Sequence, residues 1–104
     1  MTESEFNEII DNLIMNIEDQ LDNADTEIDY ETSAGILTIT MENNSQIIVN
    51  RQASQFQLWL AAKSGGYHFE YINEQWLDTK SADTFIKVLN DCIFQQSGEQ
   101  LKIL

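Results

Sequence analysis

The stretch NIEDQLDNADTEIDYE, residues 16–31, contains seven carboxylates and no Lys or Arg. Carboxylate oxygens are the ligands of hard cations such as Fe(III), Mn(II), Mg(II) and Ca(II), and less selectively of Fe(II). Protein surfaces usually mix the two signs, because each pair of like charges at helical spacing destabilises a helix by about 0.2 to 0.5 kcal/mol. The unmixed run therefore favours attraction of cations or of a basic protein surface, and a plain solvated face is the alternative.

Two predicted elements position these carboxylates. Thr2 and Glu5 form a capping-box pattern, and apolar residues then recur every three or four positions, which predicts an amphipathic helix over about residues 3–24. From Glu27 onward charged and apolar residues alternate, as in a strand with one solvated face. Carboxylates spread over such exposed elements would hold a cation weakly and with little selectivity. The acidic residues on the outer face of the helix are Glu8, Asp11, Glu18, Asp19 and Asp22.

The remaining sequence predicts further strands and a second helix. The β-rich runs GILTITM and QIIVNRQ flank a hairpin turn at residues 42–45, and QLWLAA, YHFEYI and residues 76–77 continue the sheet. Ser81 is the expected N-cap of a second amphipathic helix that ends at Gly98. This order predicts an α+β fold, an α-β sandwich with both helices on one face of an antiparallel sheet of five to six strands. We expect residues 1–104 to form a single domain.

Alternation along the strands predicts which side chains lie on the solvated face of the sheet. Leu58 and Leu60 share one face, so Gln57 and Trp59 lie on the other, and His68 points outward if its neighbours point inward. A large aromatic side chain among polar groups is typical of a protein-binding hot spot. We therefore predict that Trp59 is exposed on a docking surface. The alternative is that a loop or the C-terminal tail covers it.

Charge and composition restrict the function further. Residues 1–50 carry twelve Asp or Glu and no Lys or Arg, and the net charge is -13, so we expect neither nucleic acid nor membrane as a partner. Cys92 and His68 are the only residues of their types and are predicted on different elements, which argues against nucleophilic catalysis. The start, MTESEF, lacks the pattern of a signal peptide, and we expect a cytoplasmic protein.

The stretch NRQASQFQLWLAAKSGGYHF, residues 50–69, resembles the signature of the frataxin family, and specifically its bacterial branch, CyaY. The resemblance covers nearly the whole chain, including the acidic first helix and strand, GILTIT, Trp76 and the closing helix. The chain departs from the family pattern at two places. Ala53-Ser54 stands where a proline is common, and Asn43-Asn44 stands where Asn-Gly is frequent. Both departures lie in predicted loops.

The resemblance implies two functional surfaces. The family binds iron through an acidic ridge and docks on the cysteine desulfurase of iron-sulfur cluster assembly. Carried over by position, the metal-binding residues, here called the acidic ridge, are Glu18, Asp19, Asp22, Asp25, Glu27, Asp29 and Glu31. The partner-binding residues, here called the sheet patch, are Asn50, Gln52, Gln57, Trp59 and His68.

The resemblance and the charge pattern together predict a non-enzymatic protein that binds iron, Fe2+ or Fe3+, weakly and exchangeably. Its expected partners are the cysteine desulfurase and the iron-sulfur scaffold protein, and its role is to regulate cluster assembly or supply iron. We expect a monomer that metal can drive into oligomers. Two alternatives remain: ferroxidase-like iron oxidation and storage, which buried and paired carboxylates would favour, and acidic inhibition of another basic protein.

Overall fold

The computed structural model describes residues 1–104 and contains two helices and a six-stranded antiparallel sheet. The strands lie in the sheet in the same order as in the chain. Both helices pack on one face, so the predicted α-β sandwich is confirmed. The elements are α1 (Glu3–Asn23), β1 (Asp29–Ser33), β2 (Ile36–Thr40), β3 (Gln46–Gln52), β4 (Gln57–Ala62), β5 (Gly65–Ile72), β6 (Gln75–Asp78) and α2 (Phe85–Ser97).

One hydrophobic core of 21 buried residues lies between the helices and the sheet. Helix α1 begins where the capping box predicts, because the Thr2 hydroxyl accepts from the backbone N–H of Glu5 and the Glu5 side chain accepts from the N–H of Thr2. Its buried residues recur at helical spacing and are Phe6, Ile10, Ile14, Ile17 and Leu21. The alternating inward residues of the central strands are Leu37, Ile39, Ile47, Val49, Leu58, Leu60 and Phe69. Neither helix combines the length and apolar character needed to span a membrane.

Helix α2 begins three residues later than the sequence predicts. Thr84, and not Ser81, is the N-cap, and its hydroxyl accepts from the backbone N–H of Lys87 at 3.2 Å. The Ser81 hydroxyl accepts instead from the N–H of Asp83 within the preceding turn, at 3.2 Å. The end of the helix agrees with the prediction, because Gly98 adopts the left-handed conformation, with φ +74°, that glycine tolerates best.

Four connections within the sheet use left-handed backbone at residues other than glycine: Ala34 follows β1, Asn44 follows β2, Phe56 follows β3, and Asn73 and Glu74 follow β5. Asn44, in the predicted turn between β2 and β3, has φ 70°, which asparagine accommodates. Phe56 has φ 52° and closes a 3-10 turn (Ala53–Gln55) between β3 and β4. A bulky side chain rarely adopts this conformation. The Phe56 ring packs edge-on against Phe6 at a centroid distance of 5.4 Å, and this contact fixes the connection onto α1.

Candidate functional site

The acidic ridge runs along one edge of the molecule. Helix α1 carries Glu18, Asp19 and Asp22 on its last turns, and β1 carries the last two members of the ridge. Asp25 and Glu27 lie in the loop between them, since β1 begins at Asp29 and not at Glu27. Glu18 is half-buried and the other six side chains are exposed. The ridge carboxylates therefore remain largely hydrated.

Two hydroxyl groups fasten the ridge carboxylates of α1 to strand β1. Tyr30 donates its hydroxyl proton to Asp22 Oδ1 at 2.8 Å, and Thr32 donates to Glu18 Oε2 at 2.6 Å. The hydrogen bond to Asp22 is the main reason that the pKa of Tyr30 is raised; partial burial and the nearby negative charges act in the same direction. The sequence pattern does not identify these contacts, because they form between residues that only the packing of α1 on β1 brings together.

Strand β1 divides the ridge between two faces. Tyr30 and Thr32 point toward α1, so alternation turns Asp29 and Glu31 to the opposite, solvated face of the sheet. No group of three or more His, Cys, Asp or Glu side chains comes close enough to hold one metal ion. The ridge is therefore a row of separate carboxylates. Such oxygen ligands fit a hard cation that is held loosely and exchanges readily.

The negative charge of the ridge is not compensated by basic residues. The three salt bridges of the structure lie elsewhere: Arg51 contacts Asp11 at 2.7 Å, and Lys87 contacts Asp91 at 2.9 Å and Asp83 at 4.0 Å. Asp11, which the sequence groups with the acidic face of α1, is thus neutralised by a cation from β3. The only partners of the ridge carboxylates are the hydroxyl groups of Tyr30 and Thr32, so the negative field of the ridge extends into solvent.

The sheet patch forms two adjacent rows on the solvated face. Cross-strand pairing aligns Asn50 with Trp59 and Trp59 with His68, which form the first row. The second row, two residues further along the strands, consists of Gln52 paired with Gln57. The structure therefore brings all five predicted residues together. The predicted faces are confirmed, since the alternate residues of β4 are buried in the core.

Trp59 is half-buried on this face and is held by two contacts. Its ring stacks on His68 with a centroid distance of 4.2 Å and an interplanar angle of 9°, and its Nε1–H donates to Gln57 Oε1 at 2.8 Å. The C-terminal tail does not cover it. Ile103 of the tail is buried in the core, and the N–H of Leu104 donates to the side chain of Gln20 on α1. The outer surface of the indole remains available to a partner.

Two further residues on the solvated face are not among the predicted partner-binding residues. Glu70 pairs with Gln57 in the register of β4 and β5, and Ile48 of β3 is 37% exposed beside the sheet patch. The same alternation that assigned Trp59 could have found both. The sheet patch is therefore bordered by an acidic residue, Glu70, and by an apolar residue, Ile48.

A small antiparallel sheet backed by two helices, with an acidic edge and an aromatic and amide patch on the open face, has clear counterparts among known proteins. The chain matches the family model of the frataxin-like domain over residues 1–99. Frataxin from Psychromonas ingrahamii, described within the CyaY protein family, is 36% identical, with a TM-score of 0.94 over 100% of this chain and 99% of that chain. The chain belongs to the frataxin family, a family of iron-related proteins, and the resemblance drawn from the sequence is confirmed.

More distant frataxins share the fold. Yeast frataxin is 21% identical, with a TM-score of 0.73 over 91% of this chain and 82% of that chain. A trimeric frataxin from Saccharomyces cerevisiae, complexed with ferrous iron, is 20% identical, with a TM-score of 0.70 over 95% of this chain and 88% of that chain. At this level of identity the likeness concerns the fold alone.

Proposed function

We propose that this protein is a non-enzymatic, iron-binding regulator of cytoplasmic iron-sulfur cluster assembly. It binds Fe(II) or Fe(III) loosely along the acidic ridge and docks on the cysteine desulfurase and its scaffold protein through the acidic ridge and the sheet patch. The observation that carries the proposal is the ridge itself, seven carboxylates without a basic partner on one edge of a frataxin fold. The ferrous complex of the yeast trimer supports iron as the cation.

The arrangement of the ridge suits a cation that is carried and released. Each exposed carboxylate keeps most of its water, so a cation gains from the attraction of several charges but not from a closed coordination shell. Neutralising neighbouring like charges adds to this gain, because their mutual repulsion disappears. Affinity is then modest, and the ion remains available to a partner with stronger ligands.

The same charges serve docking. A field of one sign raises the rate of encounter with a surface of the opposite sign, and the sheet patch supplies the short-range contacts that slow dissociation. Trp59 and the surrounding amides provide those contacts, since an aromatic ring among hydrogen-bonding groups is the common composition of a hot spot. Ridge and patch therefore have separate tasks in one complex.

Iron titration of a matched pair of variants tests the metal-binding role. The ridge variant carries Glu18→Gln, Asp19→Asn and Asp22→Asn, and the control changes three exposed carboxylates away from the ridge to Gln, namely Glu3, Glu70 and Glu74. Both variants lose the same charge. Anaerobic calorimetry with Fe(II) should show weaker binding for the ridge variant alone, and equal losses in both would mean that the ridge has no particular role.

Two further measurements address the rest of the proposal. Purified cysteine desulfurase from the same organism should bind the unmodified protein, and a failure to bind would contradict the docking role. Oxygen consumption during Fe(II) oxidation should be the same with and without the protein. Faster oxidation would favour the ferroxidase alternative over the non-enzymatic proposal.

A further inference from the structure

An open cavity of about 360 Å³ lies at the end of the sheet next to the sheet patch. Met1, Phe56, Tyr71 and Ile72 form its apolar wall, and Gln55 and Glu70 form its polar edge. Phe56 is 39% exposed and Ile72 is 47% exposed. Single exposed apolar residues are common on protein surfaces, but here two of them face the same cavity.

The cavity is continuous with the sheet patch. Glu70 is the cross-strand partner of Gln57, and Ile72 follows two residues later on the same face of β5. Ile72 lies four positions after His68 on an extended strand, a distance of about 13 Å. A protein segment that covers Trp59 and Gln57 would therefore reach the cavity without leaving the sheet.

The backbone at Phe56 indicates a role for its ring. The left-handed conformation at this position suits glycine or asparagine, yet the chain has phenylalanine there. Part of the Phe56 ring is in contact with Phe6, and the remaining, exposed part lines the cavity. The turn thus holds an aromatic surface next to Ile72, at the edge of the sheet patch.

The unpaired carboxylate of Glu70 indicates that the group docking at the cavity carries a positive charge. Its carboxylate is exposed and forms no hydrogen bond or salt bridge. Met1 lines the cavity, but its terminal ammonium forms no salt bridge with Glu70, and no Lys or Arg lines the cavity. We propose that the cavity receives an apolar side chain of the cysteine desulfurase docked on the sheet patch, and that a Lys or Arg of the desulfurase beside that side chain pairs with Glu70. This inference rests on the proposed function, because the occupant belongs to the same partner.

Matched substitutions on the two layers of the fold test the inference. Ile72→Thr removes the apolar surface but keeps a β-branched residue in the strand, and Phe94→Gln removes a similarly exposed apolar side chain, 50% exposed, from α2. Binding to purified cysteine desulfurase should weaken about tenfold for Ile72→Thr, mainly through faster dissociation, and stay within twofold for Phe94→Gln.

The charge is tested in the same way. Glu70→Gln should slow association and reduce its salt dependence, whereas Glu8→Gln, an equal charge change on α1, should have a smaller effect. Equal affinities for Ile72→Thr, Glu70→Gln and the unmodified protein would overturn the inference and leave the proposed function intact. No binding by the unmodified protein would overturn both.

A measurement on the unmodified protein removes the dependence on mutant folding. In methyl NMR spectra, addition of the desulfurase should broaden or shift the Ile72 methyl signals, which lie at the cavity, and leave those of buried Ile14 on α1 less affected. Unchanged Ile72 signals in a complex that forms would refute occupation of the cavity.

Discussion

Replacement of Trp59 by Ala separates a binding surface from a core, and the chain contains a matched control in Trp76. Trp59 is half-buried on the solvated face of the sheet. Trp76 is 7% exposed in the core, where its ring lies 6.0 Å from Phe6 and 4.8 Å from Tyr71 between centroids. The same substitution at the two positions therefore has different expected effects on stability.

The magnitudes follow from the contacts. Trp59→Ala removes the stacking on His68, about 0.5 to 1.5 kcal/mol, and the hydrogen bond to Gln57, about 0.5 to 1.5 kcal/mol, so the free energy of unfolding should fall by about 1 to 3 kcal/mol. Trp76→Ala leaves a cavity in the core and should lower the free energy of unfolding by about 3 to 5 kcal/mol. Denaturant unfolding followed by circular dichroism measures both.

Partner binding should show the reverse order of sensitivity. A hot-spot residue contributes about 2 kcal/mol or more, so Trp59→Ala should weaken desulfurase binding by about 30-fold. Iron binding should be unchanged, because Trp59 lies on β4 and no ridge carboxylate contacts it. Equal destabilisation of the two Trp variants would assign Trp59 to the core. An intact fold with intact partner binding would remove the sheet patch from the functional surface.

Three further predictions concern the charge and the single thiol. The melting temperature should rise with salt and with Fe(II) or Ca(II), by the equivalent of about 2.7 kcal/mol at a hundred times the dissociation constant, and an indifferent melting temperature would contradict an unpaired ridge. Replacement of Glu18, Asp19 and Asp22 by Lys should slow association with the desulfurase and reduce the salt dependence of the association rate, and the fold should be retained. Unchanged association at low salt would mean that the ridge binds metal at most and does not contribute to docking. Burial raises the pKa of Cys92, so the folded state keeps the thiol proton longer than the unfolded chain, and the free energy of unfolding should fall as pH rises above about 8.5. Urea unfolding at neutral and alkaline pH should show a smaller fall for Cys92→Ala, and an equal fall would refute this cause.

The fold could be predicted because each element has a local signature. The capping box at Thr2 and Glu5 fixes the start of α1, and the alternation around Trp59 fixes which face of β4 is buried. A helix, a run of strands and a second helix leave few ways to bury two apolar helix faces. The layer order therefore follows from periodicity without knowledge of any long-range contact.

The start of α2 could not be predicted in the same way. Ser81 and Thr84 are both good N-caps by residue type. The choice depends on the turn after β6, where the N–H of Asp78 donates to the carbonyl of Asp83 at 2.8 Å and Ala82 has φ 63°. This turn keeps Ser81 outside the helix. A preference for one residue type cannot distinguish two caps that are three positions apart.

The composition of the ridge was predictable, but its geometry was not. The sequence shows that seven carboxylates follow one another along the chain. It does not show the hydrogen bonds from Tyr30 and Thr32, because these depend on how α1 packs against β1. The pairing of Asp11 with Arg51 is likewise a contact between distant parts of the chain. Periodicity predicts which way a side chain points, whereas its partner depends on tertiary packing.

Strand β1 is where the two proposed surfaces meet. Asp29 and Glu31 share the solvated face with Trp59, while Glu18 and Asp22 are fastened on the other side of the same strand. β1 lies two strand spacings from β3, the near edge of the sheet patch, which is about 10 Å, and the Debye length at physiological salt is about 8 Å. A partner on the sheet patch is therefore within reach of the β1 carboxylates but partly screened from them. Under the proposed function these carboxylates attract the partner at long range, and the short-range contacts of the sheet patch hold it.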